Sequence, residues 1–272
     1  MTEMDTMEGV VDLVTRRIDV LQYLDGTTAG KETLVEELDI SRSTVNRSLR
    51  ELESAGFVTR SEGGFTASAT GRTVAELYRE FRTTLTEAVG AQPLLSALPP
   101  SATVSHAMIR GSDIHVSEPP TPYRPIERVT DLVTAAETFR SLSTAVARPE
   151  SFDRITKAVV DDGLDAEIVF EVSVAEQIRT SRADPIREAM ESDQFAMYAT
   201  AELPYSLGIV RDSGTSHAFL VVSGPESELR GVVINDSAAA IAWAEKVYRN
   251  HRAAATELPP PETRDDADGH YT

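Results

Sequence analysis

The chain contains no cysteine. That excludes disulfides, thiolate zinc sites, iron–sulfur clusters and a cysteine nucleophile. No run of roughly 18 apolar residues occurs, so no membrane-spanning helix is expected. No apolar stretch follows basic residues near the N-terminus, so no secretory signal is expected and the expected location is cytoplasmic. The phosphate-loop pattern GxxxxGK[ST], the dinucleotide fingerprint GxGxxG, the zinc-protease motif HExxH and the serine elbow GxSxG are all missing. The sequence therefore predicts no enzyme, no cofactor and no metal. Lysine is scarce: Lys31, Lys157 and Lys246 stand alone, and arginine carries the remaining positive charge. The net charge is −18, and both halves of the chain hold more acids than bases. Such a chain lacks the broad positive footprint that nonspecific phosphate binding needs. The acidity chiefly serves solubility.

What is present begins with length. The 272 residues, 41% of them apolar, suggest two domains of ordinary size. The stretch from Asp39 to Phe57 organises the first. Ser41 is a good N-cap, because its hydroxyl can accept a bond from an orphan backbone N–H. Val45, Leu49 and Leu52 then recur at helical spacing and define one apolar face. The other face carries Arg42, Ser43, Thr44, Asn46, Arg47 and Arg50, with no acid before Glu51. Arginine and asparagine carry paired donors and acceptors that match guanine and adenine edges in the DNA major groove. Serine and threonine suit bases or phosphates. Gly56 ends the helix. By itself this is equally an amphipathic surface helix.

Its neighbours sharpen the reading. Residues 7–24 carry an apolar stripe interrupted by Arg17, and 31–38 form a second helix that a short turn joins to Ser41. Two helices joined by such a turn have helix-turn-helix spacing. Residues 57–60 and 65–67 read as strands around Glu62-Gly63-Gly64, a hairpin wing whose Arg60 is placed to contact the DNA backbone. Arg72, on the other side of the wing, is a further phosphate candidate. The unit 5–70 is thus expected to be a winged helix-turn-helix, with double-stranded DNA as partner. Residues 71–92 are expected to form a connecting helix with Val74, Leu77, Tyr78, Phe81, Leu85 and Val89 on its apolar side. It would pack on its own domain or on a second copy, and a homodimer is expected because two-fold proteins read paired half-sites.

Pro93, Pro99 and Pro100 mark a boundary. Beyond it, alternating strand and helix patterns over 102–256 imply an α/β-type domain with a mixed sheet. Glu118 to Pro125 reads as a proline-rich crossing that is not helical, 139–146 is ambiguous, and 257–272 reads as a disordered acidic tail. The whole fold class is α+β: an N-terminal winged helix-turn-helix followed by the α/β-type domain. Arg110, Tyr123, Arg124 and His217 are candidates for a small-molecule effector site, since arginine grips carboxylate or phosphate in two places. His106, His115 and His217 are better explained as isolated polar positions than as metal ligands.

Glu118 to Arg128, Ala239 to Arg252 and the Ser41–Phe57 stretch together resemble archaeal winged-helix transcription regulators of the methanogenesis-regulator (FilR) type. The resemblance covers about 5–255, with Trp243 and Tyr248-Arg249 in the final-helix motif. It implies a sequence-specific transcription regulator with a sensory C-terminal domain. The low lysine and abundant acids resemble proteins of salt-loving archaea. In strong salt the phosphate contribution to DNA affinity shrinks, so base contacts carry more of the recognition. The rival from another class is a winged-helix protein-interaction module that does not bind DNA, which neutralisation of the exposed arginines by nearby acids would favour.

Overall fold

The computed structural model describes residues 6–146, 148–224 and 227–261. The chain divides into two compact units, one running to Leu85 and one starting at Thr86.

In the first unit, α1 (Met7–Tyr23), α2 (Lys31–Leu38) and α3 (Arg42–Ser54) precede a hairpin of β1 (Val58–Ser61) and β2 (Gly64–Ala67). This is the element order of a winged helix-turn-helix. Asp39 closes α2 in the left-handed region at φ 52°, which turns the chain into Ser41. Asp tolerates that region better than most residues. The three helices bury Leu13, Leu21, Leu34, Val45, Leu49 and Leu52 against one another. Helix α4 (Ala69–Gly90) starts against the hairpin. A Cβ at Gly71 would meet the Phe57 carbonyl oxygen at 1.9 Å, so only glycine permits this approach. The apolar stripe of α4 divides in two. Val74 and Tyr78 pack on the core of the first unit. Leu77, Phe81, Leu85 and Val89 are each more than half exposed.

The second unit is built on an eight-stranded sheet. Its strands are β3 (Asp113–Val116), β4 (Thr138–Ser143), β5 (Asp165–Glu171), β6 (Phe195–Thr200), β7 (Ser206–Arg211), β8 (Ser216–Ser223), β9 (Leu229–Asn235) and β10 (Thr256–Glu257). They lie in the order β10-β6-β5-β4-β7-β8-β9-β3. Strands β4, β5 and β6 run parallel, and every other pairing is antiparallel. Parallel neighbours need crossovers. Helix α8 (Pro149–Asp162) links β4 to β5, while α9 (Val172–Ser181) and α10 (Ala183–Glu191) link β5 to β6. These helices and α7 (Arg124–Thr134) cover one face around Phe152, Val159, Ile168, Ile186 and Phe219. The other face is covered by α5 (Gln92–Leu95), α6 (His106–Ile109) and α11 (Ala238–Ala254) around Leu94, Met108, Leu142, Val233 and Ala244. No helix among the described residues is long and apolar enough to cross a membrane.

Three sequence expectations change. The boundary around Pro93 contains the short helix α5, and the supposed non-helical crossing already enters α7 at Arg124-Pro125. Proline is tolerated in a first helical turn, where its missing N–H would have no partner anyway. The predicted tail is ordered at its start: Glu257 pairs with Tyr198, the Leu258 N–H bonds the Met197 carbonyl, and Pro261 is buried. Residues 262–272 lie outside the described residues. The ambiguous 139–146 stretch holds most of β4, paired on both sides.

Gly208 of β7 faces Phe219 of β8. A Cβ at Gly208 would meet the Phe219 ring at 2.1 Å, and that ring stacks on Phe139 at 6.2 Å. Gly208→Ala should therefore cost about 1–3 kcal/mol by overpacking. A lowered urea midpoint in the full chain would register it, and an unchanged midpoint would contradict this packing.

Candidate nucleic-acid interface

Helix α3 owes its form to its two faces. Val45, Ser48, Leu49 and Leu52 are buried, and the Ser48 hydroxyl donates to the Thr44 carbonyl at 2.9 Å, so the single polar group inside is satisfied. The N-terminus is capped as expected, with Thr44 N–H donating to Ser41 Oγ at 3.1 Å. Ser41 Oγ also lies 2.8 Å from both Ser43 Oγ and Thr44 Oγ1. Three hydroxyls therefore gather where the free N–H groups of α3 create positive potential.

Ser43, Asn46, Arg47 and Arg50 follow the i, i+3, i+4, i+7 spacing of one helical face. Ser43, Arg47 and Arg50 are exposed, and Asn46 and Thr44 are half-buried. Arg42 is exposed but engaged, donating to Glu32 of α2 at 3.0 Å. Arg60 folds back onto Glu53 at 2.9 Å and lies over the Phe65 ring. Arg72 donates to the Ala67 carbonyl at 2.9 Å, so it holds the base of the hairpin and is not a free phosphate ligand. Among the described residues, Arg47 and Arg50 form no ion pair.

Sequence reasoning missed what anchors this helix. Arg17, the intrusion in the α1 stripe, donates from Nε to Glu51 Oε2 of α3 at 2.8 Å. Its side chain is 12% exposed and that of Glu51 is 29% exposed. The signal was available as two features, a base inside an apolar stripe and the first acid after a basic face. The hydrogen bond from Arg17 holds the Glu51 carboxyl below its ordinary 4.5, overcoming the upward push of burial.

The four effector candidates do not come together. Tyr123 and Arg124 open α7, where the Arg148 guanidinium lies 5.5 Å from the Tyr123 ring centre. Arg124 lines a shallow groove with His115 and Glu118. His217 pairs with Val210 near the start of β4, at the opposite end of the sheet, beside Arg128 and Asp131. Arg110 caps α6 on the other face. Its carbonyl, with those of Ala107 and Met108, accepts from the buried Asn235 side chain. Sequence distance could not say which end or face of the sheet each would occupy. Among the described residues, no group of three His, Cys, Asp or Glu side chains is arranged to hold a metal ion.

Residues 122–254 match the family model of the middle domain of methanogenesis regulatory protein FilR1. Residues 7–89 match the model of the HVO_A0261 N-terminal domain. Together the two matches cover most of the chain and support an archaeal transcription regulator of the FilR1 type. No curated protein matches this regulator. Among solved structures it resembles TrmBL2, an archaeal chromatin protein, at 12% identity and TM-score 0.43 over 93% of this chain and 100% of that one. It also resembles the phospholipase D family member Nuc from Salmonella typhimurium, at 16% identity and TM-score 0.38 over 54% of this chain and 98% of that one. NucT from Helicobacter pylori aligns at 12% identity and TM-score 0.43 over the same 54% and 98% shares. Likenesses this remote fix neither chemistry nor ligand.

The Glu51 pairing predicts a pH dependence in this FilR1-type regulator. A carboxyl lowered in the folded state stabilises fully above its unfolded value, and loses that contribution as pH falls through the folded one. Stability should thus decline as pH drops below about 4.5. Glu51→Gln should start less stable at pH 7 and decline less steeply. Thermal midpoints by circular dichroism across pH 7 to 3 would check this (the range is roughly that in which carboxylates titrate). Parallel curves for the two proteins would remove the pair from the stability of the unit.

Proposed function

We propose that the chain is a sequence-specific DNA-binding regulator, active as a homodimer, that reads bases with α3 and answers to a small molecule through its C-terminal unit. One observation carries the DNA reading: Ser43, Asn46, Arg47 and Arg50 share one solvent-facing side of α3, and among the described residues its two arginines form no ion pair. Arg42, Thr44 and Arg60 flank that face. The ion pairs of Arg42 with Glu32 and Arg60 with Glu53 favour the rival, a protein-interaction module without DNA binding. Both pairs are exposed, however. Such pairs are weak and screened by salt, so a phosphate can replace the carboxylate.

With a net charge of −18, the chain gains little from general attraction to DNA. Base-edge contacts then supply discrimination. Arg47→Ala and Asn46→Ala should each lose roughly 1–3 kcal/mol of preference at one base pair. Fluorescence anisotropy of the intact protein on its own upstream DNA, in concentrated potassium chloride, measures this. Unchanged operator preference in both variants would sink the assignment and move weight to the interaction module.

A homodimer fits the same reading, because each winged helix supplies one recognition helix to one half-site. Leu77, Phe81 and Leu85 of α4, spaced four residues apart and exposed, form an apolar strip of the kind that marks association surfaces. Phe81→Glu should yield a monomer in sedimentation and weaken binding to a paired site far more than to a single half-site. A variant that remains dimeric would place the interface elsewhere.

A further inference from the structure

A partly open, mainly apolar pocket of about 90 Å³ lies in the second unit between the sheet and helices α7 and α8. Phe139, Ile168, Phe170 and Phe219 line it from the sheet, and Val129 and Ile155 from the helices. Protein interiors leave few voids larger than a water. This one is larger, and its apolar walls offer water almost nothing to bond.

Its position is equally telling. Ser143 and Phe170, at the carboxyl ends of β4 and β5, and Ser206, at the start of β7, all border it. Strand β4 has a parallel neighbour on one side and an antiparallel one on the other. The chain leaving β4 crosses through α8 to β5 on one side, while β7 lies on the other side of β4, so the strand order changes direction there. In open α/β sheets ligands bind just beyond the carboxyl ends of strands at such a change of direction.

The rim decides the chemistry. Ser141 donates to the Leu207 carbonyl at 3.0 Å, Ser143 to the Ala145 carbonyl at 3.0 Å, and Ser206 Oγ shares a bond with Thr144 Oγ1 at 3.0 Å. Among the described residues, Ser151 is the rim serine whose hydroxyl makes no hydrogen bond. Arg148, the rim's one cation, is held by Glu127 and Glu150. An anionic ligand would have to displace these carboxylates, whereas a neutral one leaves both pairs intact, so the rim favours a neutral ligand. The ~150 Å³ apolar cavity that accepts benzene is larger, so a narrow chain fits better than a ring.

We propose that this cavity is the effector site, taking a short, unbranched, neutral aliphatic compound with one hydrogen-bonding end. The chain lies among the phenylalanines and the polar end meets Ser151. As an effector site it rests on the sensing role proposed for the C-terminal unit. As a binding site it stands on the cavity alone.

The test is a titration of the full, methyl-labelled chain with 1-butanol, butyrate and butylammonium, followed by NMR. The expected result is saturable shifts confined to the methyls of Val129, Ile155, Ile168 and their neighbours for 1-butanol, with at least tenfold weaker binding of both charged analogues. Ile155→Phe fills the space and should lower 1-butanol affinity at least tenfold, while Ile155→Ala enlarges it and should shift preference toward 1-hexanol. No saturable shift with either alcohol, butyrate binding as well as butanol, or identical binding in both variants would overturn the site. Anisotropy on DNA with and without 1-butanol separates the two readings. Saturable shifts with unaltered DNA affinity keep the binding site and overturn its role as effector.

Discussion

Three donors converge on the Glu167 carboxylate, near the middle of the eight-stranded sheet. Arg140 of β4 approaches at 3.1 Å, Arg252 of α11 at 3.2 Å and the Tyr248 hydroxyl of α11 at 3.3 Å. Arg140 also bonds Asp165 at 2.9 Å, and Arg252 lies over the Tyr198 ring. A sheet covered on both faces must pair whatever polar groups it keeps, because an unpaired buried charge is far costlier than an unmade surface bond. Burial, then the nearby Glu167 charge, push the Tyr248 hydroxyl well above its ordinary range, so it stays a neutral donor. The network fixes how α11 lies across β4 and β5, and with it the layer containing Leu142, Val169 and Ala244.

The opposite layer obeys another constraint. Its helices must roof a sheet that changes from parallel to antiparallel at β4, and the bulky side chains there do not close completely. Gly208 gives the Phe219 ring its place against β7, and the cavity opens beside that ring. Polar pairing on one face and incomplete apolar closure on the other give the sheet a rigid side and a receptive side.

In the first unit the same economy works through charge. The apolar faces of α1 and α3 would tolerate some rotation, but the Arg17–Glu51 bond ties one angle between them. Glu51 is thereby occupied on the side of α3 that faces α1. A chain of net charge −18 keeps a local basic face by spending its acids on structural partners: Glu51 on Arg17, and Asp25 on Arg79.

The sequence by itself determined the elements. Periodicity placed the four helices α1 to α4, the hairpin glycines and most strands of the second unit, because those signals are local: apolar spacing, capping hydroxyls, positive-φ positions. It named Ser43, Asn46, Arg47 and Arg50 as one face for the same reason. Only the tertiary structure decided what depends on long-range approach. It paired Arg17 with Glu51 and Arg60 with Glu53, and it brought Tyr248 to Glu167 across 81 residues. It scattered Arg110, Tyr123, Arg124 and His217 to different ends and faces of one sheet. It also tied Leu258 to Met197, where composition alone read a loose tail. Strand order is not written in any single strand. A helix pattern reveals which side is apolar, but which partner covers that side, and where coverage fails, emerges only when the layers meet.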